Sequence, residues 1–185
     1  MSSPTTQKID YMYATFAKFL KKYFKKHTLF KHGFNLSPMY KRSTGKIYDC
    51  SEDLMNVKIK IPLSYKNKNY VGSIFGGSLT SATDPIYMIQ LMQILGENYV
   101  VWDKASTIKF KRPAKETVYS EFNFTAYEID KIKEDVLLNN EIDITKDLLI
   151  TNKDKTVVFA ELVKTIYIAD KQFYKHKRKQ KQINN

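Results

Sequence analysis

One cysteine, Cys50, stands in 185 residues, so an internal disulfide is excluded. A single thiol fits a reducing compartment, and a cytoplasmic location is the expectation. Histidine is nearly as scarce. His27, His32 and His176 fall in basic segments away from any pair of carboxylates, and one cysteine adds no partner spacing for zinc. No metal and no other cofactor is expected. Long apolar runs are missing too: lysines break every candidate before Gly33, which removes a secretory signal from the reading. The least charged stretch, 78–95, has the length of a membrane span. It carries Ser78, Thr80, Ser81, Thr83, Asp84, Gln90 and Gln93, however, and reads instead as a buried core helix. The segment GSIFGGS at 72–78 has neither the lysine of a phosphate-binding loop nor the spacing of a dinucleotide fingerprint. The aromatic pattern of an RNA-binding sheet is also missing, so nucleic acid is not an expected partner.

Acid is the last shortage. Nineteen Asp and Glu face 31 Lys and Arg, a net charge of +12. Much of the excess is terminal, in FAKFLKKYFKKH (16–27) and KQFYKHKRKQKQ (171–182). Such runs read as plain basic surface or as attraction to an anionic partner.

Apolar and aromatic residues are plentiful: 43% of the chain is hydrophobic, with 13 Tyr and 11 Phe, enough at this length for one packed domain. Over 9–29, Tyr13, Phe16, Leu20, Tyr23 and Phe24 recur at helical steps, while Lys18, Lys21, Lys22, Lys25 and Lys26 take the other face. This basic amphipathic helix belongs to an N-terminal segment, 1–34, with Gly33 and Pro38 closing the region. It lies on its own domain or a sister subunit, with a membrane surface as the lesser alternative. The main domain is expected over 35–170. Lys46–Cys50 reads as a short strand, and over 54–63 Val57, Ile59 and Ile61 alternate with Lys58 and Lys60 in the period of a half-buried one. The apolar helix follows, with Gly96 as its stop. Four strands come after it, at 99–111, 116–127, 140–151 and 156–169, with a short helix or loop at 128–138. A basic, frayed tail is expected over 171–185. Helix, two strands, one buried helix and four strands make an α+β layout, an antiparallel sheet curled around a single long helix.

The chemistry concentrates at the head of that helix. Gly76 and Gly77 leave backbone N–H groups unshielded where the helix dipole is positive, which suits an anion or a polarised carbonyl; alternatively they serve only a tight turn. Asp84 is the one charge in 78–95. Followed by Pro85 it is either an N-cap, with the helix starting there, or a carboxylate inside a helix that Pro85 kinks.

The order Asn69, Phe75-Gly76-Gly77, Asp84, then FKRPA (110–114) at the end of a strand resembles the hot-dog-fold acyl-CoA thioesterases of the phenylacetate-pathway type. Those proteins show Asn, HGG, an Asp on the central helix and F-x-R-P-A. The wording NYVGSIFGGSL…DPIYM…YVVWDKA…I.FKRP is closer still to the branch called domain of unknown function 4442, in which Phe stands for the His. The resemblance spans roughly 35–168 and implies a hot-dog domain of about six strands wrapped around one long central helix. It also implies a homodimer or homotetramer, and metal-independent hydrolysis of an acyl-CoA or acyl-carrier thioester, with coenzyme A present only as part of the substrate. By the same resemblance Gly76, with Gly77 beside it, polarises the thioester carbonyl. Asp84 is nucleophile or general base, and Asn69 orients water or substrate. Phe75 departs from the family's His and cannot hydrogen-bond. Asp103 falls where relatives often carry Ser or Thr, and a second carboxylate there raises the pKa of Asp84 or binds something else. Lys109, Lys111 and Arg112 supply positive charge to coenzyme A phosphates, or form an ordinary solvated strand face. The rival reading is a binding module of the same fold that holds the acyl ligand without turnover.

Overall fold

The structure, a computed structural model, describes residues 25–183, so most of the helix expected over 9–29 lies outside the described residues. The elements in chain order are α1 (Lys26–Leu36), α2 (Pro38–Ser43), β1 (Lys46–Cys50), β2 (Asn56–Ile61), α3 (Gly76–Thr83) and α4 (Ile86–Leu95). There follow β3 (Tyr99–Phe110), β4 (Val118–Asn123), α5 (Ala126–Asn139), β5 (Glu141–Thr151), β6 (Val158–Asp170) and α6 (Lys171–Ile183). Six strands form one sheet in the order β1-β2-β4-β5-β6-β3, antiparallel at every pairing.

Alternation decides which face of the sheet is buried. In β2, Val57, Ile59 and Ile61 point inward and are fully buried, while Lys58 and Lys60 between them are partly exposed. On β6 the inward set is Ala160, Leu162, Lys164, Ile166 and Ile168, all buried. The central helix lies across this face through Leu79, Ala82, Ile86, Tyr87, Leu91 and Leu95. Its one fully buried amide, Gln90, donates Nε2 hydrogen bonds to the Leu54 carbonyl at 2.6 Å and the Phe122 carbonyl at 3.2 Å. These bonds tie the helix to the backbone of β4 and of the turn before β2.

Between α3 and α4 the helix is interrupted where the sequence offered two alternatives. It starts at Gly76; Asp84 continues its turn, with helical φ/ψ and its N–H bonded to the Thr80 carbonyl at 2.9 Å. Pro85 brings no N–H, and the ladder resumes only with Ile89 N–H to the Pro85 carbonyl. Asp84 is therefore not an N-cap. The last carbonyls of α3 find other donors: the buried Tyr40 hydroxyl donates to Ala82 O at 3.1 Å. Gly96 ends α4 at φ +84, as its position after the apolar run led one to expect.

Two expectations need correction, and a third, left between helix and loop, is decided for the helix. Gly33 lies inside α1, which runs on to Leu36; Pro38 opens α2 at its first turn. Phe30 and Phe34 of α1 are buried against the sheet, and the Asn35 side chain bridges to both Ile47 N–H (2.9 Å) and Ile47 carbonyl (2.8 Å), occupying the edge of β1. The short helix or loop at 128–138 is a 14-residue helix, α5, which the pair Thr125 and Glu128 opens with a capping box. The tail is not frayed over 171–183 but helical. Asp170 caps it by accepting from Gln172 N–H at 2.9 Å and Phe173 N–H at 2.8 Å, and Tyr174 and Lys177 hold it on the outer face against Tyr167 and Glu141.

Candidate active site

At the head of α3 the chain arrives through a tight turn, Asn69 to Ser73. The Asn69 Oδ1 accepts from Val71 N–H at 3.1 Å and Ser73 N–H at 3.0 Å, and its Nδ2 donates to Ser73 Oγ at 3.0 Å. Gly72 supplies the positive φ, +77, that the turn requires. The structure thus gives Asn69 a turn-holding place, with both ends of its amide engaged. Phe75 N–H bonds to Asn67 O and Ile74 N–H to Ala114 O, which binds the start of the helix to the FKRPA segment.

Gly76 and Gly77 come next, as the first two helical residues, whose N–H groups no intrahelical carbonyl reaches. Aromatic rings close around them. A Cβ on Gly76 would lie 2.8 Å from the Phe110 ring, and one on Gly77 would lie 2.2 Å from the Phe75 ring. Glycine is thus required here for close approach as well as for exposing the amides. Both rings remain more than half exposed, so the helix N-terminus opens between two apolar walls.

Two turns on, Asp84 meets a residue that the sequence reading passed over. Lys164 on β6 is 0% exposed, yet its Nζ lies 2.7 Å from Asp84 Oδ1, 2.9 Å from the Asp84 carbonyl oxygen and 3.3 Å from Asp103 Oδ1. The carbonyl is free because the helix breaks at Pro85, so the break and the buried ammonium belong together. A buried charge needs partners of this kind. Asp84 keeps a 53% exposed side chain with Oδ1 committed to Lys164, whereas Asp103 on β3 is 20% exposed. The site is a carboxylate, an ammonium and a second carboxylate in a row, with Asp84 the more open end. Burial raises the Asp103 carboxyl above its usual range; the Lys164 charge draws it back and the Asp84 charge adds to the rise. The carboxyl that the second acid and burial push up is thus Asp103. The signal for Lys164 was present: in ELVKTIYI it takes an inward place between Leu162 and Ile166 in strict alternation.

Lys146, the ladder partner of Lys164 on β5, also turns inward and was also missed. Its Nζ pairs with Glu128 at 2.7 Å and sits 4.7 Å from the centre of the Phe124 ring. Of the three basic residues expected to meet coenzyme A, Lys111 is ion-paired with Glu161 at 2.9 Å. Lys109 points to the outer face, opposite to Phe110, and Arg112 is exposed beside Pro113. The one thiol is a poor nucleophile, since burial pushes Cys50 up to about 11. Among the described residues no helix is long and apolar enough to cross a membrane.

A six-stranded antiparallel sheet wrapped around one central helix, with glycine amides at the helix start and one open carboxylate at its break, is a hot-dog domain of the architecture seen in thioesterases. Residues 26–168 match the family described as a domain of unknown function, DUF4442, and the chain belongs to that family. No curated protein matches it. Among solved structures it is similar to a protein of unknown function from Pseudomonas aeruginosa described as a probable thioesterase, at 19% identity and TM-score 0.69, over 77% of this chain and 95% of that one. It is similar also to a protein of unknown function from Chlorobaculum tepidum TLS, at 17% identity and TM-score 0.62, over 76% and 91%. A thioesterase from Haemophilus influenzae matches at 13% identity and TM-score 0.55, over 75% and 87%. At such identities the likeness establishes the shared fold.

Proposed function

We propose that this chain hydrolyses an acyl thioester, carried by coenzyme A or a carrier protein, without a metal. The observation that carries the reading is the half-exposed Asp84 carboxylate, fixed at a helix break by a fully buried ammonium. In this reading the N–H groups of Gly76 and Gly77 take up the charge that develops on the thioester oxygen, between the rings of Phe75 and Phe110. Asp84, through its outer oxygen, attacks the carbonyl carbon or removes a proton from the attacking water, and the thiol leaves. Gly77 and Asp84 are seven residues apart on one helix, about 10 Å of rise, too far to act on one carbonyl. Two copies of the chain then complete each site, one supplying the glycine amides and the other Asp84. The open edge of β3, twelve residues with no ladder partner beyond β6 among the described residues and with Phe110 exposed, offers the surface for that pairing.

A binding module is the second reading, favoured by Phe75, whose ring leans on Gly77 and donates no hydrogen bond. One experiment separates them: hydrolysis of a panel of acyl-CoA esters, read with a thiol reagent, by the wild type and by Asp84→Asn. Asn still accepts from Lys164, and Asp103 still balances the buried ammonium, so the fold is retained. The expected result is turnover of at least one ester by the wild type and a loss of about a hundredfold or more in the variant, with ligand affinity and melting nearly unchanged. Binding of the esters with hydrolysis of none identifies a binding module, and unchanged turnover in the variant removes Asp84 from the chemistry.

A further inference from the structure

On the outer face of the sheet, away from the glycine amides, α6 lies over β3 and β6 and leaves a cleft of about 370 Å³, within the range of small-molecule sites. Its walls are aromatic. Trp102 and Tyr167 are ladder partners on that face, and the Tyr174 ring stands 6.2 Å from the Tyr167 ring at 56°. The Tyr167 hydroxyl donates to Glu141 at 2.5 Å, and Lys177 closes on the same carboxylate, so this wall is held in place before any ligand arrives. Trp102 keeps 53% of its surface exposed.

The rim is basic, and its charges are not equivalent. Lys177 is matched by Glu141 and Lys104 by Asp143, each at 2.5 Å, while Asp103 turns its carboxylate to Lys164. Arg178 and Lys181 also line the cleft, three residues apart on one face of α6, and neither has a carboxylate partner among the described residues. The carboxylates of the cleft are thus already neutralised, and two cations are left over. Flat π-faces next to an unpaired guanidinium and ammonium suit a ligand that is planar and aromatic at one end and multiply anionic at the other.

We propose that this cleft binds a nucleoside phosphate, the base lying on Trp102 and the phosphates on Arg178 and Lys181. The inference goes beyond the hydrolytic reading and is independent of it: the ligand carries no thioester, and neither Arg178 nor Lys181 contacts Asp84 or the glycine amides.

Trp102 is the one tryptophan of the chain, which makes it the reporter. The full chain is titrated with ADP, adenosine and pyrophosphate, followed by tryptophan fluorescence and by calorimetry. ADP gives a saturable signal, while adenosine, lacking the phosphates, and pyrophosphate, lacking the ring, each bind at least about tenfold more weakly. The double variant Arg178→Ala/Lys181→Ala loses at least about tenfold in ADP affinity with its melting temperature kept. Coenzyme A presents the same chemistry at its nucleotide end and is titrated beside ADP. Tighter binding of coenzyme A names it as the source of the nucleotide, and equal binding names the free nucleotide. No saturable ADP signal at millimolar concentration overturns the proposal, as does pyrophosphate binding as tightly as ADP, the mark of an unselective basic patch. A single-stranded oligonucleotide binding more than about a hundredfold tighter than ADP also overturns it, in favour of a nucleic-acid groove.

Discussion

Replacing Lys164 by Met isolates the buried ammonium, because Met fills nearly the same volume and carries no charge. The side chain is 0% exposed and makes three contacts within 3.3 Å, so its loss leaves Asp103 buried without a counter-charge and the Asp84 carbonyl without its donor. Breaking a buried pair costs about 3–5 kcal/mol, but Asp84 is half exposed and recovers water, which lowers the expectation to roughly 2–3 kcal/mol near neutral pH. For a domain of this size that is a fall in melting temperature of roughly 5–10 °C. The pH dependence has a definite sign. Asp103 is raised in the folded state by burial, so its contribution to stability is present below the unfolded pKa and is lost as pH rises through the folded one. Lys164→Met removes the group drawing that carboxyl down and raises it further, so the cost of the substitution is smaller at an assay pH of about 4.5 than at about 7.5. Adding Asp103→Asn to Lys164→Met then restores part of the loss, a non-additivity expected of groups in contact. The measurements are thermal and urea unfolding of the wild type, both single variants and the double, at the two pH values. Equal stability of Lys164→Met and wild type at pH 7.5, or a cost that grows on acidification, refutes this account of the cluster.

Other expectations follow from the same geometry. Gly45→Ala sets a Cβ 2.8 Å from the Ala82 Cβ and 2.9 Å from the Tyr40 hydroxyl, both buried, and costs about 1–3 kcal/mol on a melting curve. Gly77→Ala keeps the backbone N–H but sets a Cβ 2.2 Å from the Phe75 ring, which must move off the helix start; turnover falls, and an unchanged rate with unchanged melting refutes the need for a side-chain-free approach there. Mixing an Asn69→Ala chain, in which the turn before the glycine amides is loosened, with an Asp84→Ala chain restores some turnover if the amides and the carboxylate of a working site come from different copies. No rescue, with wild-type dimers active, returns the site to one chain. Higher ionic strength weakens the apparent affinity for a coenzyme A ester more than for a pantetheine thioester if Lys109 and Arg112 meet phosphates, since exposed charges are screened over about 10 Å at 0.1 M salt; equal sensitivity rules that contact out.

Local chemistry was written plainly in the sequence. The period of Val57, Ile59 and Ile61 gave a strand and its buried face, the apolar surface of 86–95 gave the central helix, and Gly96 gave its end. Short motifs were legible as well, and two were passed over: Thr125 with Glu128 opens α5, and Asp170 opens α6 where the charge of the tail had argued for fraying. Gly33 misled in the other direction, because a glycine costs a helix only about 1 kcal/mol and the burial of Phe30 and Phe34 outweighs that.

Partners far apart in the chain are another matter. Asp84 and Lys164 are eighty residues apart, and no local period or spacing connects them. Strand alternation alone turns Lys164 inward, but only the antiparallel registers of β3 against β6, and the lie of the helix across that face, bring its ammonium between Asp84 and Asp103. The same packing chose between the two readings of Asp-Pro, since the Asp84 carbonyl left without an intrahelical donor at the break is tolerable inside a fold only where a donor such as Lys164 meets it. Sequence by itself determined the elements and the candidate carboxylate, because those depend on side chains within a turn or two of one another. Tertiary structure decided what that carboxylate is paired with, because a buried charge is placed by the whole sheet and not by its neighbours in the chain.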